Sequence, residues 1–221
     1  MAIKAVLFDI DGTLVDTNDF HVLAWDEALR DAGHVFEHQA LHDQIGKGAD
    51  TFLPTLLPDL DLAARERLAD AHGRIFKAKY LSRARPFRGA RDLLARVRES
   101  GQRVVLASSA SGAELDHYLD LLDARGLVSA TTSADDVQTS KPAPDIFATA
   151  LHKVAPLIPA QAIVVGDTPY DIEAAAKAGM AAVGVRSGKF SDAALRGAVA
   201  LYDDVAALLA AYETSPLRAG A

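Results

Sequence analysis

Apolar positions along this chain follow two periods, and most segments fall clearly into one of them. Residues 3–8 are a short apolar run that predicts a buried strand, cut off at Asp9. Over residues 18–32 the period is that of a helix, with Phe20, Leu23, Ala24, Ala28 and Leu29 on one face and Gly33 as its stop. Residues 36–82 carry no convincing strand pattern. Helix-like pieces at Glu37–Gln44, Asp50–Leu57 and Leu62–Leu81 are separated by Gly46, Gly48, Pro54 and Pro58.

After Pro86, helices and strands alternate. Ala90, Leu93, Leu94 and Val97 mark a helix ending at Gly101, followed by a strand over Arg103–Ala107. Leu115, Tyr118, Leu119 and Leu122 share the apolar face of the next helix, and a weak strand follows at 128–132. Ser140–Pro144 is a stiff loop that feeds a helix bearing Phe147, Ala150, Leu151 and Val154. A strand at Ala162–Val165 and a helix with Ile172, Ala175 and Ala176 that stops at Gly179 come next. A strand at Ala181–Val185 and a last helix with Val205, Leu208, Leu209 and Tyr212 complete the pattern. This alternation predicts an α/β fold, a parallel sheet with helices on both faces, interrupted by a mainly helical insert. The polar, small-residue tail Thr214–Ala221 is expected to fray.

Composition narrows the function classes. Half of the 221 residues are hydrophobic and the formal net charge is −7, without a basic run, so nucleic acid is not an expected partner. Arg83, Arg85, Arg88 and Arg91 lie among acids and read as a solvated face. The absence of cysteine excludes disulfides, thiolate chemistry and Cys-ligated zinc. The apolar start is cut off by Asp9, unlike a signal peptide, and no apolar run approaches a membrane span, so a cytoplasmic location is expected.

The chemistry gathers where strands end. Asp9 and Asp11 follow the first strand, Ser108 and Ser109 the second, and Gly166-Asp167 the third, with Lys141 in the loop between the last two. In open α/β sheets ligands sit at the carboxyl ends of the strands, so these residues are expected to converge. Each has a bland alternative. Asp9 and Asp11 could cap a turn, Ser108 and Asp167 could cap helices, Asp171 could do the same, and Lys141 could be a surface lysine. Two carboxylates held two residues apart repel, however, and call for a cation or a shared proton.

The set Asp9-Ile10-Asp11-Gly12-Thr13-Leu14-Val15, Ser108, Lys141-Pro142 and Gly166-Asp167-Thr168-Pro169-Tyr170-Asp171 resembles, in order, the four motifs of the haloacid dehalogenase-like superfamily. Asp16-Thr17-Asn18-Asp19-Phe20-His21 with Trp25 further resembles the branch of phosphoglycolate phosphatases, sugar-phosphate phosphatases and β-phosphoglucomutase. The resemblance implies a Rossmann-like core over residues 1–15 and 85–221 and a helical cap over 16–84, hinged near Val15–Thr17 and Arg83–Pro86. It implies a Mg²⁺-dependent phosphatase in which Asp9 attacks phosphorus and forms an aspartyl-phosphate. Asp11 then protonates the leaving oxygen and deprotonates water. Asp9, the Asp11 carbonyl and Asp167 hold the metal, with Asp171 acting behind it through metal-bound water. Lys141, Ser108 and Ser109 bind the phosphoryl group. Family dehalogenases and phosphonatases lack an acid at the position of Asp11, so its presence points to C–O–P chemistry.

Ile45–Asp50 resembles the cap loop that reaches into the site in this branch, making Lys47 a candidate substrate contact and an exposed turn lysine the alternative. His21 either faces the cleft or packs on the insert helix. His34, His38 and His42 fall four residues apart, but Gly33 argues against one continuous helix, and no metal site is expected there. Gly184–Lys189 lacks the spacing of a nucleotide loop. A sugar phosphomutase of the β-phosphoglucomutase type is the alternative activity. Such enzymes use an Arg in the cap loop, where this chain has Ala49 and Asp50. The expected partner is a small phosphorylated substrate, and the expected state a monomer or homodimer.

Overall fold

The computed structural model describes residues 2–218. Six strands form one parallel sheet in the order β5-β4-β1-β6-β7-β8: β1 (Ala5–Phe8), β4 (Arg103–Ala107), β5 (Ala130–Thr132), β6 (Ala162–Gly166), β7 (Ala181–Val185) and β8 (Ala200–Tyr202). β1 lies between β4 and β6, with Phe8 in register with Leu106 on one side and Val165 on the other. Its four residues are fully buried, which is why they read as an unbroken apolar run rather than an alternating one.

Helices cover both faces. One face packs Val6, Phe8, Val104 and Leu106 against α5 (Ala90–Glu99), α6 (Gly112–Leu121) and α9 (Val205–Ala210). The other packs Leu7, Val105 and Val164 against α7 (Asp145–His152) and α8 (Pro169–Lys177). Four helices between β1 and α5 form a separate layer: α1 (Asn18–Asp31), α2 (His38–His42), α3 (Ala49–Leu56) and α4 (Leu62–Ile75). They share their own apolar cluster, built on Val22, Trp25, Leu29, Leu41, Phe52, Leu53 and Leu68.

The two chain crossings into and out of this layer lie side by side. β2 (Val15–Asp16) pairs antiparallel with β3 (Arg85–Pro86), a ribbon too short to show as a period in the sequence. β8 escaped notice for the same reason: it has three half-buried residues. The helix expected over Leu62–Leu81 is α-helical only to Ile75. A π turn over Phe76–Tyr80 and a 3₁₀ turn over Leu81–Arg83 carry it to the ribbon, with Phe76 fully buried. The expectation of a frayed tail is corrected up to Arg218. Leu217 is fully buried, and the Gln102 side chain donates to its carbonyl at 2.6 Å. Residues 219–221 lie outside the described part.

Candidate active site

β1, β4 and β6 end at the same edge of the sheet, and the polar groups that follow them meet there. Asp9 comes off β1, Ser108 off β4 and Asp167 off β6, while the loop before α7 brings in Lys141 through a cis Lys141–Pro142 peptide. Lys141 is buried, and its Nζ lies 2.5 Å from Asp9 Oδ1 and 2.7 Å from Asp171 Oδ1. Asp171 also accepts from the Thr168 amide (3.0 Å) and hydroxyl (2.7 Å) at the start of α8. Asp171 thus takes part in capping α8 through one oxygen and faces Lys141 through the other. Thr168, not Asp167, is the N-cap of α8, and Ser111, not Ser108, is that of α6.

Asp167 is fully buried and accepts from Thr13 Oγ1 at 2.7 Å and Asn18 Nδ2 at 2.8 Å. Two glycines make room for it. A Cβ on Gly12, which has φ +77°, or on Gly188 would collide with the Asp167 carboxylate. Oxygens of Asp9, Asp167 and Asp171 lie within 4.8 Å of one another. Burial is the main reason the Asp9 carboxyl is pushed up to about 7. Lys141 opposes the rise, and Asp171 and Asp11 add to it. Asp167 is pushed well above the carboxylate range, by burial first and then by Asp171 and Asp9. Lys141, flanked by both acids, holds its proton more tightly than a free lysine although burial opposes this.

Asp11 sits in a different environment. Its Oδ1 accepts from Thr17 Oγ1 and Tyr118 OH, each at 2.7 Å, and lies 3.2 Å from His21 Nε2. Its Oδ2 accepts from Ser108 Oγ at 3.3 Å. Burial alone would raise this carboxyl, but His21, Thr17 and Tyr118 outweigh it and hold it at about 2. The two acids of the opening motif are thus driven apart, one toward neutrality and one toward the anion. His21 both faces the cleft and packs on the helical layer. Its Nδ1 is 3.3 Å from His72 Nε2, and its ring stacks on Phe76 at 3.9 Å. His72 in turn stacks on Trp25 at 4.1 Å, and burial first, then His21, keeps it well below the usual histidine range.

Above these groups lies a cleft of about 700 Å³ between the sheet edge and the helical layer. Asp9, Asp11, His21, Ser109 and Lys141 line it from below, and the whole Ile45–Asp50 loop lines it from above. The Ser109 hydroxyl is buried without a partner among the described residues, whereas Ser108 Oγ is engaged by Asp11 and by the Ala110 amide at 3.0 Å. Lys47 Nζ donates to Gln44 Oε1 (2.6 Å) and Thr55 Oγ1 (3.1 Å). The loop also docks on the Lys141 segment: the Ser140 amide donates to Asp50 Oδ2 at 2.9 Å and Thr51 Oγ1 to the Lys141 carbonyl at 3.0 Å.

Tyr118 and His72 were missed from sequence because helical periodicity reports which face a residue occupies, not where a hydroxyl or ring nitrogen ends. Thr13, Thr17 and Asn18 stood inside the quoted motifs without assigned contacts. Their hydroxyl and amide types, next to paired acids, were the available signal.

The chain is similar in sequence and in fold to known hydrolases and to a phosphomutase. A probable phosphatase, IndB, from Dickeya dadantii is 32% identical over 190 residues, covering 83% of this chain and 81% of that protein. A β-phosphoglucomutase from Bacillus subtilis is 29% identical over 84% of each chain. A hydrolase from Pseudomonas syringae superposes with a TM-score of 0.89 at 27% identity, over 96% of this chain and 98% of that one. The sequence pattern of haloacid dehalogenase-like hydrolases matches residues 3–179, the span that carries the ends of β1, β4 and β6 and the Lys141 loop. The chain therefore belongs to the haloacid dehalogenase-like hydrolase family.

Proposed function

We propose that this protein is a Mg²⁺-dependent phosphatase of a small phosphorylated metabolite, working in the cytoplasm as a monomer or homodimer through an aspartyl-phosphate on Asp9. The observation that carries the reading is a charge deficit. Three buried carboxylates, Asp9, Asp167 and Asp171, gather around a single ammonium, that of Lys141. Two positive charges are wanting, which one divalent cation supplies, and an all-oxygen donor set suits a hard ion such as Mg²⁺. Asp9, Asp167 and the Asp11 carbonyl would hold it, with Asp171 reaching it through water. When bound, the ion neutralises phosphoryl oxygens and so lets an anionic nucleophile approach phosphorus.

Phosphate esters resist attack because their own anionic oxygens repel the nucleophile, so positioning and charge neutralisation dominate catalysis. Asp9 attacks phosphorus as the ester P–O bond breaks, and the leaving oxygen takes a proton from Asp11; its donors keep Asp11 ionised in the free protein, so that proton arrives with the phosphate ester on binding. Asp11, then ionised as its donors hold it here, takes a proton from the water that hydrolyses the aspartyl-phosphate. Lys141 orients Asp9 and meets the phosphoryl charge. The unpartnered Ser109 hydroxyl and Ser108 donate to phosphoryl oxygens. Residues 16–84 act as a cap over a core of residues 1–15 and 85–221, excluding water, with His21 and Lys47 as its substrate contacts.

Phosphate release from p-nitrophenyl phosphate or acetyl phosphate is the direct test. Turnover with Mg²⁺ that disappears with chelator is expected; a folded sample inactive with every divalent metal would overturn the reading. The phosphoglucomutase relative motivates a second reading, phosphoryl transfer within a sugar phosphate. Formation of glucose 6-phosphate from β-glucose 1-phosphate with a bisphosphate activator would establish it. Phosphate release without that product is expected.

The metal site also has a stability signature. Asp9 holds a proton in the fold that it loses in the unfolded chain between the ordinary carboxylate range and about 7, and Asp167, raised well above that range by burial, adds in the same direction. The folded state binds more protons there, so metal-free stability falls as pH rises through that window. Asp11 works in the opposite sense, but only as pH falls from the ordinary range toward about 2. In chelator the melting temperature is expected to drop by roughly 5 °C from about pH 5 to about pH 8, and Mg²⁺ to remove most of the drop. A flat profile in chelator would contradict the charge deficit.

A further inference from the structure

The two oxygens of Asp11 stand in unequal surroundings. Oδ1 has three partners: Thr17 Oγ1 and Tyr118 OH at 2.7 Å each, and His21 Nε2 at 3.2 Å. Oδ2 has one, the Ser108 hydroxyl at 3.3 Å, which is long for a bond between two oxygens. An ionised carboxylate oxygen offers about two lone pairs, so three donors fill Oδ1. Oδ2 is left as the oxygen with capacity for a proton, on a side chain that lines the cleft.

Tyr118 differs from the other two donors in where it stands. Thr17 precedes α1 and His21 lies in its first turn, so both sit on the chain as it enters the helical layer. Tyr118 lies on α6, packed on the sheet in the cluster that holds Phe8, Leu14, Leu115 and Leu119, and it is fully buried. A phenylalanine ring would fill that space equally well. The hydroxyl is thus a polar addition to an apolar site, and its one hydrogen bond among the described residues goes to Asp11. The other contact from the sheet side, Ser108, is the one that substrate draws away, since that hydroxyl then turns to a phosphoryl oxygen. With substrate in place, Tyr118 is what remains to tie this carboxylate to the sheet.

We propose that Tyr118 is a positioning residue for Asp11: its hydroxyl holds Oδ1 from the sheet side, so that Oδ2 makes both proton transfers. This deepens the phosphatase reading and rests on it. The proton that arrives with the ester is carried on Oδ2. As Asp9 forms its bond to phosphorus and the ester P–O bond breaks, that proton passes to the leaving oxygen, and its electron pair stays on Oδ2. The same pair then takes a proton from water, whose oxygen attacks the aspartyl-phosphate and releases phosphate and the Asp9 carboxylate. Tyr118 touches no reacting atom; it acts through the aim of Asp11, and a carboxylate misaimed by a fraction of an ångström is a poor acid and a poor base.

Tyr118→Phe in the Mg²⁺-loaded protein tests the proposal, because it removes the hydroxyl and keeps the ring. Phenyl phosphate, whose basic phenolate leaves best with a proton, is compared with p-nitrophenyl phosphate, whose nitrophenolate hardly needs one. The ratio kcat/KM reports events up to departure of the leaving group. It is expected to fall by about tenfold or more on phenyl phosphate and by no more than about threefold on p-nitrophenyl phosphate. Water activation is slowed for both esters, so acid quench and intact mass should find a larger phosphorylated fraction in the variant than in wild type. Crystal structures of the two proteins with Mg²⁺ read the aim of Asp11 without turnover: its carboxylate is expected to be turned, or split between two orientations, in the variant. If wild type hydrolyses no ester, the phosphatase reading fails, and the crystal pair still decides whether Tyr118 positions Asp11. An equal loss on both esters, as a general loosening of the fold would give, or an Asp11 carboxylate in one unchanged orientation, would overturn the inference.

Discussion

Asp9→Asn is expected to lower turnover by at least about four orders of magnitude while leaving the fold intact. The side chains are isosteric, and asparagine removes the nucleophilic oxygen without emptying the space beside Lys141 and Asp167. It also removes one of the three carboxylates that crowd the site. Asp9 is pushed up to about 7 by burial, with Asp171 and Asp11 adding to the rise. An uncharged amide relieves that crowding, so the metal-free variant should melt no lower than wild type near neutral pH. Magnesium should stabilise the variant less than it stabilises wild type, because one ligand oxygen of the proposed set has lost its charge. Acid quench during turnover, followed by intact mass, should find a phosphorylated fraction in wild type and none in the variant. A variant that melted far below wild type would show that Asp9 is structural. A variant that kept its turnover would place the nucleophile elsewhere.

Much of this site could be read from the chain because its groups stand at discontinuities. Asp9, Ser108 and Asp167 each follow an apolar run that stops, and the sheet carries all three stops to one edge. Lys141 was legible because it stands between Ser140 and two prolines, Pro142 and Pro144, that stiffen its loop. What escaped detection has the opposite character. Tyr118 is one more apolar position in a helix whose periodicity is satisfied by burying the ring; only the fold shows its hydroxyl 2.7 Å from Asp11. His72 lies in a long, charged helix and acquires its place from Trp25 and His21, some fifty residues earlier. The Val15–Asp16 and Arg85–Pro86 ribbon has no period to detect, because two residues make none. Periodicity sees elements and the faces they bury. It does not see which polar atom on a buried face finds a partner across the molecule.

Lys141→Met separates what the buried lysine does for stability from what it does for chemistry. Lys141 stands between Asp9 and Asp171, all three buried. Removing one partner of a buried ion pair costs about 3–5 kcal/mol, because the remaining charge is left unmatched. For a chain of this size that is a loss of roughly 10 °C in melting temperature. The cost should depend on pH in a definite direction. Lys141 keeps its proton throughout the neutral range, so its own titration contributes nothing there. Asp9 titrates at about 7 even with the lysine present, and removing the opposing ammonium raises it further. The penalty should therefore be large near pH 8 and shrink toward pH 5, where Asp9 holds a proton. Adding Asp9→Asn to Lys141→Met should recover part of the lost stability, since removing both members of a buried pair is far less costly than removing one. Neither change should recover activity: the methionine cannot neutralise the phosphoryl group, and turnover is expected to stay at least about a thousandfold below wild type in the single and the double variant. Magnesium should raise the melting temperature of Lys141→Met by more than it raises that of wild type, because the ion then faces three carboxylates with no ammonium among them. If Lys141→Met proved as stable as wild type at every pH, the charge deficit that supports the metal site would lose its basis, since the acids would have to be neutral without the lysine.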